Sequence, residues 1–178
     1  MVKIIEALYI YMTKANTTIE AIATIAGQSL TTKNLMLCTA ESCTGGWVAK
    51  SCTDITGSSA WFDRGFVTYS NQSKQDLLNV SSMTLEQFGA VSEQTVIEMA
   101  QGALTNSTAD ISVAITGIAG PDGGSDDKPV GMVWFAWATK NAVIQTHCHH
   151  YTGDRETVRR QAVVTALKGI IDTISQSE

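Results

Sequence analysis

At 178 residues the chain has the length of one domain, enough to bury about two-thirds of its unfolded surface without disulfide or metal staples. Hydrophobic residues make up 44% and charged residues 16%, with a net charge of −5. This acidic balance argues against a nucleic-acid partner, and the sparse charge implies a homo-oligomer in which another subunit covers part of the surface. Cys38, Cys43, Cys52 and Cys148 form no C-x-x-C pair, no apolar run approaches a membrane span, and the N-terminus lacks the register of a signal peptide. The chain therefore reads as a cytoplasmic protein with reduced thiols and no membrane partner.

Helical spacing marks residues 3–30, first at Ile4, Ile5, Leu8 and Met12, then at Ile19, Ile22, Ala23 and Ala26. Asn16 is the expected cap of the second piece and Gly27 its expected stop. Residues 1–34 are thus an N-terminal helical segment, and 35–178 hold the rest of one compact domain. A buried strand is expected over 34–40, then a helix opening at Gly45 and Gly46. Aromatic and β-branched content predicts a strand over 65–71, followed by a short helix over 72–80. Ser92 is placed to cap an amphipathic helix whose Val96, Met99, Ala100 and Ala103 face inward.

Residues 110–116 read as a strand covered on both faces, ending in a loop rich in Gly and Asp that holds both prolines. Two adjacent strands, 132–138 and 142–150, flank a turn at 139–141. Asp154 is the candidate cap of a long C-terminal helix striped by Val163, Leu167, Ile170, Ile171 and Ile174. Interleaved helices and strands give the class α/β, a layered α/β/α single domain whose closing hairpin makes the sheet mixed.

Polar residues and glycine collect at three strand ends, where open α/β sheets bind ligands. At "TAESCTGG", Ser42 and Cys43 are adjacent nucleophiles, and Thr44, Gly45 and Gly46 begin a helix whose unpaired N–H groups favour an anion. Taken alone, the stretch is as well explained by a Ser or Thr cap over close-packing glycines. At "YSNQSK", Tyr69, Asn71 and Lys74 can face the same edge; a desolvated lysine there is a base for serine, although most lysines are solvated helix residues. At "ITGIAGPDGG", Thr116 offers a hydroxyl and Gly117 a close backbone approach, with a surface turn as the plainer account. His147 and His149 share a strand face, but with no companion cluster they read as a solvated strand end, not a metal site. Arg155, Arg159 and Arg160 form the densest basic group. Arg155 is balanced between phosphate recognition and salt bridging, and the other two read as salt-bridging residues.

The stretches "AESCTGG", "GSSAWFDRGFVTYSNQSK", "GAVSEQTV", "TGIAGPDGGSDDKPVG" and "GDRETVRRQAV" resemble, in order and spacing, the C-terminal domain family of the competence/damage-inducible CinA proteins. That family includes stand-alone nicotinamide-nucleotide amidases, and the lack of a pyrophosphatase-like domain here fits the stand-alone type. The resemblance implies hydrolysis of the carboxamide of nicotinamide mononucleotide to nicotinic acid mononucleotide and ammonia, in pyridine-nucleotide salvage, without metal or cofactor. It places the family's serine at Ser42, its lysine at Lys74, its tyrosine at Tyr69, its Thr-Gly pair at Thr116 and Gly117, and an arginine near substrate phosphate at Arg155. Cys43, Thr44, Gly45, Gly46 and Asn71 are expected on the substrate side. Tyr151-Thr152 stands where the family has Phe-Pro, and Met132 where a Thr is common; both concern substrate fit.

In the expected reaction neutral Lys74 takes the Ser42 proton, and backbone N–H groups of the 43–46 turn or the Thr116 region hold the oxyanion. Lys74 or Tyr69 returns the proton to the leaving ammonia. A catalytically silent nucleotide-binding module is the alternative from another class, and an amidase with a different substrate is a second. Ammonia release and its dependence on the phosphate discriminate among the three.

Overall fold

A computed structural model describes residues 18–140 and 144–176. Helix α1 (Ile19–Lys33) buries Ile22, Ala23, Ile25, Ala26 and Leu30. Its cap is Thr18, whose hydroxyl accepts the Ala21 N–H at 3.2 Å; the expected cap Asn16 and the first helical piece lie outside the described residues. Gly27 does not stop this helix, which runs on to Asn34 in the left-handed region at φ 54°. The glycine serves packing instead, since a Cβ there would lie 2.7 Å from the Trp61 ring.

Strand β1 (Leu37–Glu41) is wholly buried and starts three residues later than the sequence suggests, after the Met36 N–H has bonded the Asp110 carboxylate at 3.0 Å. Helix α2 (Trp47–Thr53) and a 3-10 turn (Ser58–Ala60) lead to β2 (Phe62–Val67). The expected strand over 65–71 is displaced toward the N-terminus, because Ser70 leaves the sheet to cap α3 (Asn71–Leu78), accepting the Ser73 N–H at 3.0 Å. Helix α4 (Ser82–Phe88) was not expected; with Leu85 as its one buried residue it has no periodic stripe to read. It is tied instead by Glu98, whose carboxylate accepts from the Ser81 N–H at 2.7 Å and the Thr84 hydroxyl at 2.5 Å.

Helix α5 (Glu93–Thr105) is capped by Ser92 as its sequence predicts. Strands β3 (Ile111–Gly117), β4 (Met132–Thr139) and β5 (Gln145–His150) and helix α6 (Arg155–Gln176) complete the chain. Asp154 accepts the Thr157 N–H at 2.8 Å at the start of α6. Of the expected hairpin, Asn141 in the turn and Ala142 and Val143 in the strand lie outside the described residues.

The sheet order is β2-β1-β3-β4-β5, with β1 parallel to β2 and β3 and the remaining pairs antiparallel. It is mixed, as expected. Strand alternation sorts the core into two layers. Leu37, Ile111, Val113, Ile115, Val133, Phe135 and Trp137 face α1, α2 and α6. Cys38, Ala40, Ala114, Ala136 and Ala138 face the opposite layer, where these small side chains let α5 lie close to the sheet. Because β1 is flanked by β2 on one side and β3 on the other, its carboxyl end lies where the connections diverge, the usual place for a ligand crevice.

Candidate active site

Register sets the site: Glu41, the last residue of β1, pairs with Val67, the last of β2, and with Ile115 of β3, which runs two residues further to Gly117. Ser42, the segment 68–71 and Thr116–Gly117 therefore meet at one edge. They surround a cavity of about 260 Å³ lined by Ser42, Cys43, Tyr69, Asn71, Lys74, Thr116, Gly117 and Arg155, among others. The three motifs that the sequence offered separately converge there.

Lys74 lies in the first turns of α3, and with Leu78 it makes that helix's buried face. Its side chain is 1% exposed, and Nζ lies 3.1 Å from Ser42 Oγ while donating to the Thr68 carbonyl at 2.9 Å. Among the described residues no carboxylate is within ion-pair distance of it. Burial pushes its pKa below the ordinary lysine value of 10.5. The neighbouring thiol of Cys43 is shifted the other way, up to about 12, again chiefly by burial. Of the two adjacent candidate nucleophiles, Ser42 has an amine within hydrogen-bond reach, and burial disfavours the thiolate form of Cys43.

Tyr69 is 62% exposed on the rim, and its hydroxyl accepts from Arg155 at 2.8 Å; the same guanidinium donates to the Gly120 carbonyl at 2.8 Å. Arg155 is thus fixed across the mouth of the cavity from the start of α6. Thr116 is buried and its hydroxyl donates to the Ala90 carbonyl at 2.7 Å. The hydroxyl proton is already engaged, which removes Thr116 Oγ1 as a free oxyanion donor.

Thr44, Gly45 and Gly46 are not on this cavity wall. The expected anion cradle at the start of α2 is filled from within the chain by Glu41, which is fully buried. Its carboxylate accepts the N–H groups of Gly46 at 3.0 Å, Val48 at 3.1 Å and Ala49 at 2.8 Å, and the Thr39 hydroxyl at 3.3 Å. A carboxylate at a helix start satisfies both the orphan donors and the dipole. Glu41 is not among the residues singled out from the sequence; its place directly before two nucleophile-bearing residues and a Gly-Gly pair is the available signal.

Arg159, expected to form salt bridges, binds backbone carbonyls instead. Its guanidinium donates to the Cys43 carbonyl at 3.0 Å and the Thr44 carbonyl at 2.8 Å, and lies 5.4 Å from the Trp47 ring centroid. Asp122, Ala90, Val91 and Ile118 also line the cavity and were not singled out. The one available signal was Asp122, the acid inside the Gly-rich loop. His147 and His149 share a face of β5 and belong to an aromatic ladder, with His149 stacked on Tyr151 at 5.5 Å. Among the described residues no group of three or more His, Cys, Asp or Glu gathers in a metal-binding arrangement.

The sequence matches the CinA C-terminal domain family over residues 19–174. It is 58% identical over 142 residues to nicotinamide-nucleotide amidohydrolase PncC of Escherichia coli strain K12, covering 80% of this chain and 86% of that protein. To the protein of the same name from Pseudomonas putida it is 48% identical over 153 residues, 86% of this chain and 95% of that one. Among solved structures, the competence/damage inducible protein CihA of Agrobacterium tumefaciens superposes with a TM-score of 0.87 at 46% identity, covering 92% of this chain and 99% of that one. The competence damage-inducible protein A of Klebsiella pneumoniae gives a TM-score of 0.88 at 36% identity, with 91% and 100% covered.

Proposed function

The chain belongs to the CinA C-terminal domain family, and from that premise we propose that it is a nicotinamide-nucleotide amidohydrolase working through Ser42 and Lys74. The observation that carries the mechanism is the buried, carboxylate-free amine of Lys74 at 3.1 Å from Ser42 Oγ. Burial lowers the pKa of Lys74, the direction that suits a base for a serine nucleophile.

In this reading the carboxamide enters the cavity and Arg155, at its mouth, takes the substrate phosphate. Lys74 Nζ accepts the Ser42 hydroxyl proton as Oγ bonds to the carboxamide carbon, and the carbonyl π pair moves onto oxygen. The adduct collapses by breaking the carbon–nitrogen bond, the nitrogen leaving as ammonia with the proton returned from Lys74 or through Tyr69. Water then adds to the acyl ester with Lys74 again taking the proton. Ester cleavage frees nicotinic acid mononucleotide and restores Ser42.

Cys43, Asn71 and Gly117 line the same cavity and belong to the substrate side of this proposal. Among the described residues no helix is long and apolar enough to cross a membrane. The homo-oligomer and the cytoplasmic location stay part of the proposal, the first being read by light scattering of the purified chain. The test of function is ammonia release from nicotinamide mononucleotide, nicotinamide riboside and nicotinamide by the wild type and Ser42→Ala. Turnover of the mononucleotide that vanishes in Ser42→Ala supports the proposal; turnover that survives the substitution removes the serine from it.

A further inference from the structure

Most N–H groups of the turn that carries Ser42 are taken by acceptors within the chain. The Ser42 N–H donates to Ile115 O at 3.0 Å, Gly45 to Ser42 O at 3.1 Å, and Trp47 to Thr44 O at 3.3 Å. Gly46, Val48 and Ala49 are taken by Glu41. Two N–H groups are left, those of Cys43 and Thr44, with no acceptor in another residue among those described, the Cys43 N–H meeting only its own thiol. Both residues are buried, Cys43 6% exposed and Thr44 0%. An N–H in a buried residue that has no acceptor beyond its own side chain is open to a better one, and beside a nucleophile that acceptor can be supplied during the reaction. Of the two residues, Cys43 borders the cavity.

The direction of the Cys43 N–H is fixed through peptide planes. The peptides of this turn are trans, so each carbonyl points opposite to the N–H that follows it. Arg159 holds the Thr44 carbonyl at 2.8 Å and so orients the Gly45 N–H. That N–H in turn holds the Ser42 carbonyl at 3.1 Å, and this orients the Cys43 N–H. Arg159 also holds the intervening Cys43 carbonyl at 3.0 Å. The guanidinium itself lies over the Trp47 ring, 5.4 Å from its centroid.

We propose that Arg159 is a positioning residue: from α6 it aims the Cys43 N–H at the oxyanion that forms when Ser42 adds to the carboxamide. The proposal rests on the Ser42 reading above. Arg159 acts through the backbone and needs no contact with substrate, so its loss falls on the transition state and leaves ground-state binding in place.

The experiment compares wild type, Arg159→Met and Arg159→Lys in the full chain. It measures kcat and KM for nicotinamide mononucleotide, thermal unfolding, and affinity for the product nicotinic acid mononucleotide. It also measures affinity for the 3-formylpyridine mononucleotide analogue, whose aldehyde Ser42 Oγ can attack. Arg159→Met is expected to lose roughly 10- to 100-fold in kcat, somewhat less than deleting an oxyanion donor outright. KM and product affinity should hold within about threefold while aldehyde affinity falls in step with kcat. Arg159→Lys should be intermediate, because an ammonium cannot hold two carbonyls as a fork does. If Arg159→Met does not fold, Arg159→Lys carries the comparison with the same expected pattern.

A kcat near the wild-type value, or a loss that falls equally on KM and product affinity, overturns the proposal. A wild type that releases no ammonia defeats the proposed function instead. The positioning role is then read from Ser42 modification by methanesulfonyl fluoride, followed by mass spectrometry, which should be slower in Arg159→Met. Equal rates, or a wild-type Ser42 that does not react, overturn it.

Discussion

The amine of Lys74 meets Ser42 Oγ at 3.1 Å across 32 positions of sequence, and it does so inside the protein, with 1% of the lysine exposed. A lysine in that place is poor for stability and useful for chemistry, so the two properties should separate on mutation. Lys74→Met should lower kcat by about 10²–10⁴-fold, the range of a lost general base. Its melting temperature should match or exceed that of the wild type, because a buried amine is replaced by an apolar side chain of similar length. The pH dependence has a definite sign. Burial lowers the folded-state pKa of Lys74 below 10.5, so between the two values the unfolded chain binds more protons. Wild-type stability at this site therefore rises with pH across that window, and the advantage of Lys74→Met grows as pH falls. Calorimetry of both proteins across the alkaline range checks it; an advantage that grows with pH contradicts the assignment.

The same shift fixes the acidic limb of the activity profile. In the proposed mechanism Lys74 acts unprotonated, so kcat/KM should rise with pH through an apparent pKa below 10.5. Arg155 and Tyr69 lie on the rim, and Arg155→Ala should leave that limb in place while lowering the plateau. A limb at the ordinary lysine value would mean that the amine is solvated during turnover.

Arg155 spans the cavity mouth with one nitrogen on Tyr69 and another on the Gly120 carbonyl. Arg155→Ala should raise KM for nicotinamide mononucleotide by roughly 10- to 100-fold, the worth of a charge-assisted contact of about 1.5–3 kcal/mol. It should leave the riboside, which has no phosphate, little affected. Steady-state kinetics on the two substrates decide this, and an equal loss on both would place Arg155 in loop support.

Most of the frame was legible because the physics was local. The β3 run from Ile111 to Ile115 is apolar enough to need cover on both faces, and Ser92 announces its helix by its own hydroxyl. What escaped depended on distant partners. Gly27 reads as a stop until Trp61, 34 positions on, is seen lying against it. Helix α4 has no stripe of its own and depends on Glu98. In the site, Ser42, Lys74, Tyr69, Thr116 and Arg155 each belonged to a motif that could be recognised at a strand or helix end. Glu41 and Arg159 act on backbone groups: the Gly-Gly turn announces N–H groups that favour an anion, but it does not say that Glu41 is that anion or that Arg159 holds the carbonyls.

Glu41 offers the clearest test of that difference. Its carboxylate serves the N–H groups of Gly46, Val48 and Ala49, of which Val48 is fully buried. Glu41→Ala strands all three and should lower stability by on the order of 3 kcal/mol, with the buried donor contributing most. Glu41→Gln keeps one acceptor oxygen but turns an amide NH2 toward backbone donors, so it should fall between Ala and wild type. Because the Ser42 turn is anchored through the same carboxylate, kcat should fall with stability in both variants while the lysine-dependent acidic limb stays at the same pH. Chemical denaturation paired with the pH–rate profile separates these outcomes. A Glu41→Ala protein as stable as wild type would mean that water replaces the carboxylate at the start of α2 without loss, and that Glu41 does not hold the nucleophile turn.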